Sequence, residues 1–209
     1  MPVNPTELPY RTLVIVRGTD RDAALRTVLT LAEEGLTASE VSLTTTDALW
    51  VIQQARRALG PDAHLGAGTV LTAEDAARAT EAGAGFLVTP GLVTDLPHGP
   101  GHPPVLMGAL TPTEVMAATR HGALAVKLFP ASLGGPAHLA ALRAPFPDTP
   151  FIPVGGIDAA TALAHLNAGA AAVGVGSPLT GDAPDGGDQH ALRARAAHWR
   201  RTLGAVVAP

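Results

Sequence analysis

Short apolar runs alternate along the chain with segments of helical periodicity. The eight runs, rich in Val, Leu, Ile and small residues, cover 13–17, 39–43, 64–70, 85–90, 104–110, 125–130, 151–157 and 171–177. Several intervening segments begin at Thr or Asp and end at Gly, as helices do. Near-continuous apolar strands joined by such helices predict a parallel sheet with both faces covered.

Eight strand–helix units predict a (β/α)₈ TIM barrel, an α/β fold, as a single compact domain over residues 1–209. The chain is shorter than the roughly 250 residues usual for this fold, so its loops must be short. An open doubly wound sheet is the alternative. The Pro- and Gly-rich segment 91–104 leaves room for only one or two turns of helix after the fourth strand.

Composition excludes several classes of function. A net charge of −4, an aromatic content of 3% and the absence of a basic run argue against nucleic-acid partners. No long apolar segment or signal peptide is present, so we expect a cytoplasmic protein without membrane association. The chain has no cysteine, and the histidines of HGPGH (98–102) lack acidic neighbours. The sequence therefore predicts neither a metal nor a cofactor.

The chemistry centres on Lys127, because the other thirteen basic residues are arginines. Strand alternation places Lys127 with Ala125 and Phe129 in the barrel interior, while Val126 and Leu128 face the helices. Partial desolvation disfavours the charged ammonium and leaves a nucleophilic amine, which a guanidinium cannot provide. Lys127 is thus predicted to form a Schiff base with a carbonyl substrate; snorkelling or pairing with a buried carboxylate is the alternative.

Three further side chains are candidates at strand ends, where barrel active sites form. Glu40, an acid inside an apolar run, is the candidate general acid/base, unless the second strand begins one residue later. Arg17 ends the first run and is suited to bind a carboxylate through two contacts; a solvated arginine at the start of a loop is the alternative. Thr69 offers a hydroxyl near the end of the third run, although core packing explains it equally well.

Two glycine turns close the seventh and eighth runs. Loops at these positions commonly bind phosphate in this architecture through backbone N–H groups. Tight turns alone are the alternative explanation. The predicted phosphate ligands are Gly155, Gly156, Gly176 and Ser177.

The motifs GAGTVLT, LVTPG, LTPTE, KLFPA, FIPVGGI and AVGVGS, in this order, resemble the KDPG/KHG aldolase family. The resemblance implies a class I, metal-independent, homotrimeric lyase on a (β/α)₈ barrel. Its members cleave 2-keto-3-deoxy-6-phosphogluconate to pyruvate and glyceraldehyde 3-phosphate, or 4-hydroxy-2-oxoglutarate to pyruvate and glyoxylate. It further implies that Lys127 forms the imine, Glu40 shuttles protons, and Thr69 and Pro90 line the pyruvate pocket.

Departures from the family pattern concern specificity. Thr44 stands where many members carry a carboxylate-binding arginine, so that role falls to Arg17. Val154 stands where threonine is frequent, and the related aldolase for 2-keto-3-deoxy-6-phosphogalactonate also tends to be apolar there. The C4 epimer accepted is therefore open, and Val154, Phe129 and Thr44 are the specificity candidates. A phosphosugar isomerase or epimerase, or a non-catalytic sugar-phosphate binding protein, remains a further alternative.

Overall fold

The computed structural model describes residues 3–207, with side chains to residue 204. Each of the eight predicted apolar runs corresponds to a strand. Seven strands lie within their runs and are shorter, whereas the first begins one residue before its run and is equally long. The strands are β1 (Thr12–Val16), β2 (Ser39–Ser42), β3 (Leu65–Gly68), β4 (Leu87–Val88), β5 (Val105–Ala109), β6 (Ala125–Leu128), β7 (Phe151–Pro153) and β8 (Val173–Val175).

Helices cover the outside of the sheet. They are α1 (Arg21–Glu33), α2 (Ala48–Leu59), α3 (Ala73–Glu81), α4 (Pro112–Arg120), α5 (Gly135–Arg143), α6 (Ala159–Asn167), α7 (Ser177–Thr180) and α8 (Gln189–Val207). The predicted caps are present, since Thr72, Thr111 and Asp158 each accept a hydrogen bond from the backbone N–H three residues later. No helix within residues 3–207 is long and apolar enough to cross a membrane.

The strands form a parallel barrel in the order β7-β6-β5-β4-β3-β2-β1-β8. A parallel bridge between Val154 and Gly174 joins β7 to β8. The Ala171 N–H also donates to the Phe151 carbonyl, 2.8 Å away. These contacts close the sheet and exclude the open doubly wound alternative, so the predicted (β/α)₈ fold is confirmed.

Side chains alternate between two apolar clusters, as strand geometry requires. The inner cluster fills the barrel and includes Leu106, Ala125 and Ile152, whereas Val126 and Leu128 belong to the outer cluster beneath the helices. Ala125 shares its strand face with Lys127, two residues on. The predicted inward direction of Lys127 therefore agrees with the packing of its neighbours.

The connection after β4 differs from the prediction. The sequence leaves room there for one or two helical turns, but residues 89–104 contain none. Gly99 and Gly101 have φ of 95° and 89°, in the left-handed region, which interrupts a right-handed helix. The prolines of this segment remove further helical donors.

Candidate active site

A cavity of about 450 Å³ opens at the carboxyl ends of the strands. The structure brings ten of the twelve predicted site residues to its wall. They are Arg17, Thr69, Pro90, Lys127, Phe129, Val154, Gly155, Gly156, Gly176 and Ser177. The other two, Glu40 and Thr44, are not in the lining. Glu40 contacts Lys127, and Thr44 is connected to Thr69 through Ser42.

Lys127, in the wall of the cavity, meets Glu40 inside the barrel. The Lys127 Nζ lies 3.7 Å from the Glu40 Oε1, and the two side chains are 8% and 2% exposed. Gly68 on the neighbouring strand makes room for the carboxyl group, because a Cβ there would lie 2.6 Å from Oε1. The Phe129 ring covers the amine, with its centroid 5.5 Å from Nζ. The amine is thus held between a carboxyl group and an aromatic face.

Burial raises the pKa of Glu40, since desolvation penalises the carboxylate form. The positive charges of Lys127 and Arg17 oppose this effect without cancelling it. Within residues 3–207 the Oε2 atom has no hydrogen-bond partner. Glu40 is therefore a carboxyl group suited to take up and release a proton beside the amine.

Ser42 connects three of the predicted residues, and sequence reasoning did not identify it. Its Oγ lies 2.8 Å from the Thr69 Oγ1 and 2.8 Å from the Thr44 Oγ1, and it accepts the Arg17 Nε–H at 3.4 Å. A signal was available, because Ser42 follows Glu40 by two residues and so shares its inward face. Thr69 has a φ of 59°, which turns the chain sharply after β3.

The glycine turns form the opposite wall of the cavity. Gly155 and Gly156 have φ of 96° and 73°, which side-chain-bearing residues rarely adopt. A Cβ on Gly156 would also lie 2.9 Å from the Ser132 Cβ. No hydrogen bond to another described residue occupies the backbone N–H of Gly155, Gly156, Gly176 or Ser177. This wall consequently presents free backbone donors.

Two residues beyond these turns also shape the cavity. Asp185 lines it, and its Oδ1 accepts the Thr19 N–H (2.7 Å) and hydroxyl (2.8 Å), which ties the loop after β8 to the loop after β1. Arg195 donates to the carbonyls of Leu179 and Thr180 and holds α7 in place. Nothing in the acidic loop pattern predicts this position for Asp185. Within residues 3–207, no group of three or more potential metal-ligating His, Asp or Glu side chains is present.

Comparison with known proteins agrees with this geometry. The family model for KDPG and KHG aldolases matches residues 9–190. A 2-dehydro-3-deoxy-phosphogluconate aldolase of Pseudomonas aeruginosa is 44% identical over 130 residues, 61% of this chain and 59% of that protein. A probable 2-dehydro-3-deoxy-6-phosphogalactonate aldolase of Rhizobium meliloti is 33% identical over 204 residues, 95% of both chains. A solved native KDPGal structure superposes with a TM-score of 0.86 at 29% identity, covering 99% of both chains.

The fold, the buried lysine and the family match define a barrel aldolase, a carbon–carbon lyase. The chain belongs to the KDPG and KHG aldolase family.

Proposed function

We propose that this protein is a class I aldolase that cleaves a 2-keto-3-deoxy-6-phospho sugar acid to pyruvate and glyceraldehyde 3-phosphate through an imine on Lys127. The observation that carries the proposal is the amine of Lys127, enclosed in the barrel 3.7 Å from Glu40 and open to the cavity. If the pair of Lys127 and Glu40 served only to stabilise the fold, the amine would not need access to a cavity. An amine beside a proton-transferring carboxyl group is what imine chemistry requires.

The reaction follows from these two groups. The Lys127 Nζ attacks the C2 ketone, and loss of water from the carbinolamine gives the imine. The imine accepts the electron pair of the C3–C4 bond as that bond breaks, while Glu40 takes the proton of the C4 hydroxyl and the aldehyde leaves. The resulting enamine takes that proton back from Glu40 at C3, and hydrolysis of the new imine releases pyruvate and regenerates the free amine. The scheme needs no redox step.

The two ends of the cavity suit the two ends of such a substrate. Lys127 and Arg17 are the basic residues in the lining, and Arg17 is suited to pair with the C1 carboxylate. Thr69 and Pro90 border the pyruvyl portion. The free N–H groups of Gly155, Gly156, Gly176 and Ser177 are suited to the phosphate. Four free N–H groups match the three terminal oxygens of a phosphate better than the two of a carboxylate, which favours a phosphorylated keto acid over 4-hydroxy-2-oxoglutarate.

The sugar epimer depends on the wall near C4. Val154 lines the cavity and is 4% exposed. An apolar side chain there offers no hydrogen bond to a C4 hydroxyl, and a relative named for the phosphogalactonate reaction matches 95% of the chain. The phosphogalactonate substrate is therefore included in the proposal, with Phe129 and Val154 as the selecting residues. A cytoplasmic homotrimer of single-domain chains, residues 1–209, completes the proposal.

A substrate panel tests this function. The 6-phosphogluconate derivative, its phosphogalactonate epimer and 4-hydroxy-2-oxoglutarate are each supplied, and pyruvate release is coupled to lactate dehydrogenase. We expect the highest kcat/KM with a phosphorylated acid and no activity in Lys127→Arg, which keeps the charge but forms no imine. Efficient cleavage of the unphosphorylated acid alone would contradict the phosphate assignment. Turnover in Lys127→Arg, or isomerisation without cleavage, would contradict the aldolase proposal.

A further inference from the structure

Ser42 is a buried serine whose hydroxyl group lies at the centre of a hydrogen-bonded cluster. It is the last residue of β2, is 0% exposed, and points to the same face as Glu40. Its Oγ has three partners rather than one, namely Arg17, Thr44 and Thr69. Both Arg17 and Thr69 line the cavity at the end assigned to the keto-acid carboxylate.

The hydrogen-bonding capacity of Ser42 is fully used by these partners. A serine hydroxyl has one donor and two acceptor positions. The Arg17 Nε–H (3.4 Å) and the Thr44 backbone N–H (3.5 Å) share one acceptor position, one threonine hydroxyl donates to the other, and the Ser42 hydroxyl donates to the second threonine. No capacity remains for substrate, so Ser42 acts through its neighbours.

The contact with Arg17 involves Nε alone. The terminal nitrogens of Arg17 have no hydrogen bond to another residue among 3–207, so they can present two parallel N–H groups to a carboxylate. A long, exposed arginine otherwise samples many rotamers, and fixing them costs conformational entropy on binding. A bond at Nε reduces that cost by holding the side chain over the cavity.

We propose that Ser42 is a positioning residue that orients Arg17 and the Thr69 hydroxyl toward the carboxylate of the keto acid, with Thr44 completing the hydrogen-bonded cluster. Thr44 thus supports Arg17 indirectly, through its hydrogen bond to Ser42. The inference rests on the proposed function, because the ligand is the carboxylate of the substrate that forms the imine.

The test compares two ketones of the same shape and different charge. Pyruvate carries the carboxylate, whereas pyruvamide replaces it by a neutral amide. For each ketone, the rate of irreversible labelling of Lys127 in the presence of borohydride is measured in wild type and in Ser42→Ala. We expect the pyruvate-to-pyruvamide ratio to fall about tenfold, as for loss of one charge-assisted hydrogen bond. Ser42→Thr, which restores the hydroxyl, is expected to recover most of the ratio.

Ser39→Ala is the matched control. Ser39 is a buried serine on the same strand, three residues earlier and on the opposite face. Its replacement removes the same hydroxyl without touching the cluster, so the ratio should stay at the wild-type value. Thr44→Val provides a second variant, at an exposed position. We expect it to lower the pyruvate-to-pyruvamide ratio by about two- to threefold, less than Ser42→Ala does.

The outcomes separate the two proposals. If pyruvate labels wild-type Lys127 but Ser42→Ala and Thr44→Val keep the wild-type ratio, the inference is wrong and the aldolase proposal stands. Equal losses with both ketones indicate a structural role for Ser42 and also overturn the inference. If wild-type Lys127 is labelled by neither ketone, the proposed function fails and the inference fails with it.

Discussion

The two halves of the cavity are built in different ways. On the side of β2, β3 and β6, the functional groups at the cavity are side chains on or directly after strands, with Thr69 and Lys127 in the wall and Glu40 beside Lys127. On the side of β7 and β8, they are backbone N–H groups of glycine turns. Chemistry in the first half therefore depends on which side chain is present, and in the second half on the backbone conformation that glycine allows.

This difference predicts different responses to mutation. A substitution in the side-chain half should remove a chemical step and leave the backbone unchanged. A substitution in the glycine half should leave imine formation unchanged and weaken recognition of the distal end of the substrate.

The largest effect short of losing the lysine is expected for Glu40→Gln. The amide keeps the shape of the side chain but cannot take the proton of the C4 hydroxyl, so kcat should fall by about 10²–10⁴-fold. Steady-state cleavage assays check this, with exposed Glu81→Gln as the control that retains wild-type kcat. A wild-type kcat in Glu40→Gln would mean that a group other than Glu40 takes the proton of the C4 hydroxyl.

Gly156→Ala should affect the other half. Its φ of 73° and a Cβ only 2.9 Å from the Ser132 Cβ force the turn to move. We expect KM for the phosphorylated acid to rise about tenfold, which corresponds to about 1.4 kcal/mol of lost binding, while pyruvate labels Lys127 at the wild-type rate. Gly60→Ala is the control, since its φ is 86° and its Cβ would meet nothing within 4 Å. Equal KM changes in both variants would argue against a phosphate turn.

A smaller effect is expected for Val154→Thr. The substitution adds a hydroxyl at nearly constant volume beside C4, and one neutral hydrogen bond contributes about 1 kcal/mol. The ratio of kcat/KM for the two C4 epimers should therefore shift about fivefold toward the epimer whose C4 hydroxyl lies within reach of the added side-chain hydroxyl. Paired assays on both epimers measure this ratio. An unchanged ratio would remove Val154 from the specificity residues.

The smallest effect is a pH dependence of stability. Burial raises the pKa of Glu40 above its ordinary value of 4.5, so in the interval above that value the native protein retains a proton that the unfolded chain releases. The contribution of Glu40 to the free energy of unfolding is then fully present below the ordinary pKa and is lost as pH rises through the native one. In Glu40→Gln the side-chain amide does not titrate, so this pH-dependent loss of stability does not occur.

Urea unfolding over a pH series measures this contribution. The stability of Glu40→Gln relative to wild type should increase with pH above about 4.5 and be constant below it. A difference that decreases with pH would mean that the ion pair with Lys127 outweighs desolvation.

The placement of side chains on strands could largely be predicted from the sequence, whereas spatial contacts between distant segments could not. The position of Lys127 in an apolar run predicted both its strand and its inward face, because strand alternation is a local rule. Asp185 lines the cavity through a contact with Thr19, 166 residues away in sequence, and no local pattern encodes that approach. Strand β4 ends earlier than its apolar run, because beyond Val88 the Thr89 hydroxyl accepts the Gly108 N–H at 3.0 Å.

The most direct measurement is reduction of the protein with borohydride in the presence of pyruvate, followed by peptide mass spectrometry. We expect one reduced pyruvyl group per chain, attached to Lys127, and none in Lys127→Arg. Unmodified wild-type protein, or a label on any group other than Lys127, would contradict the imine mechanism.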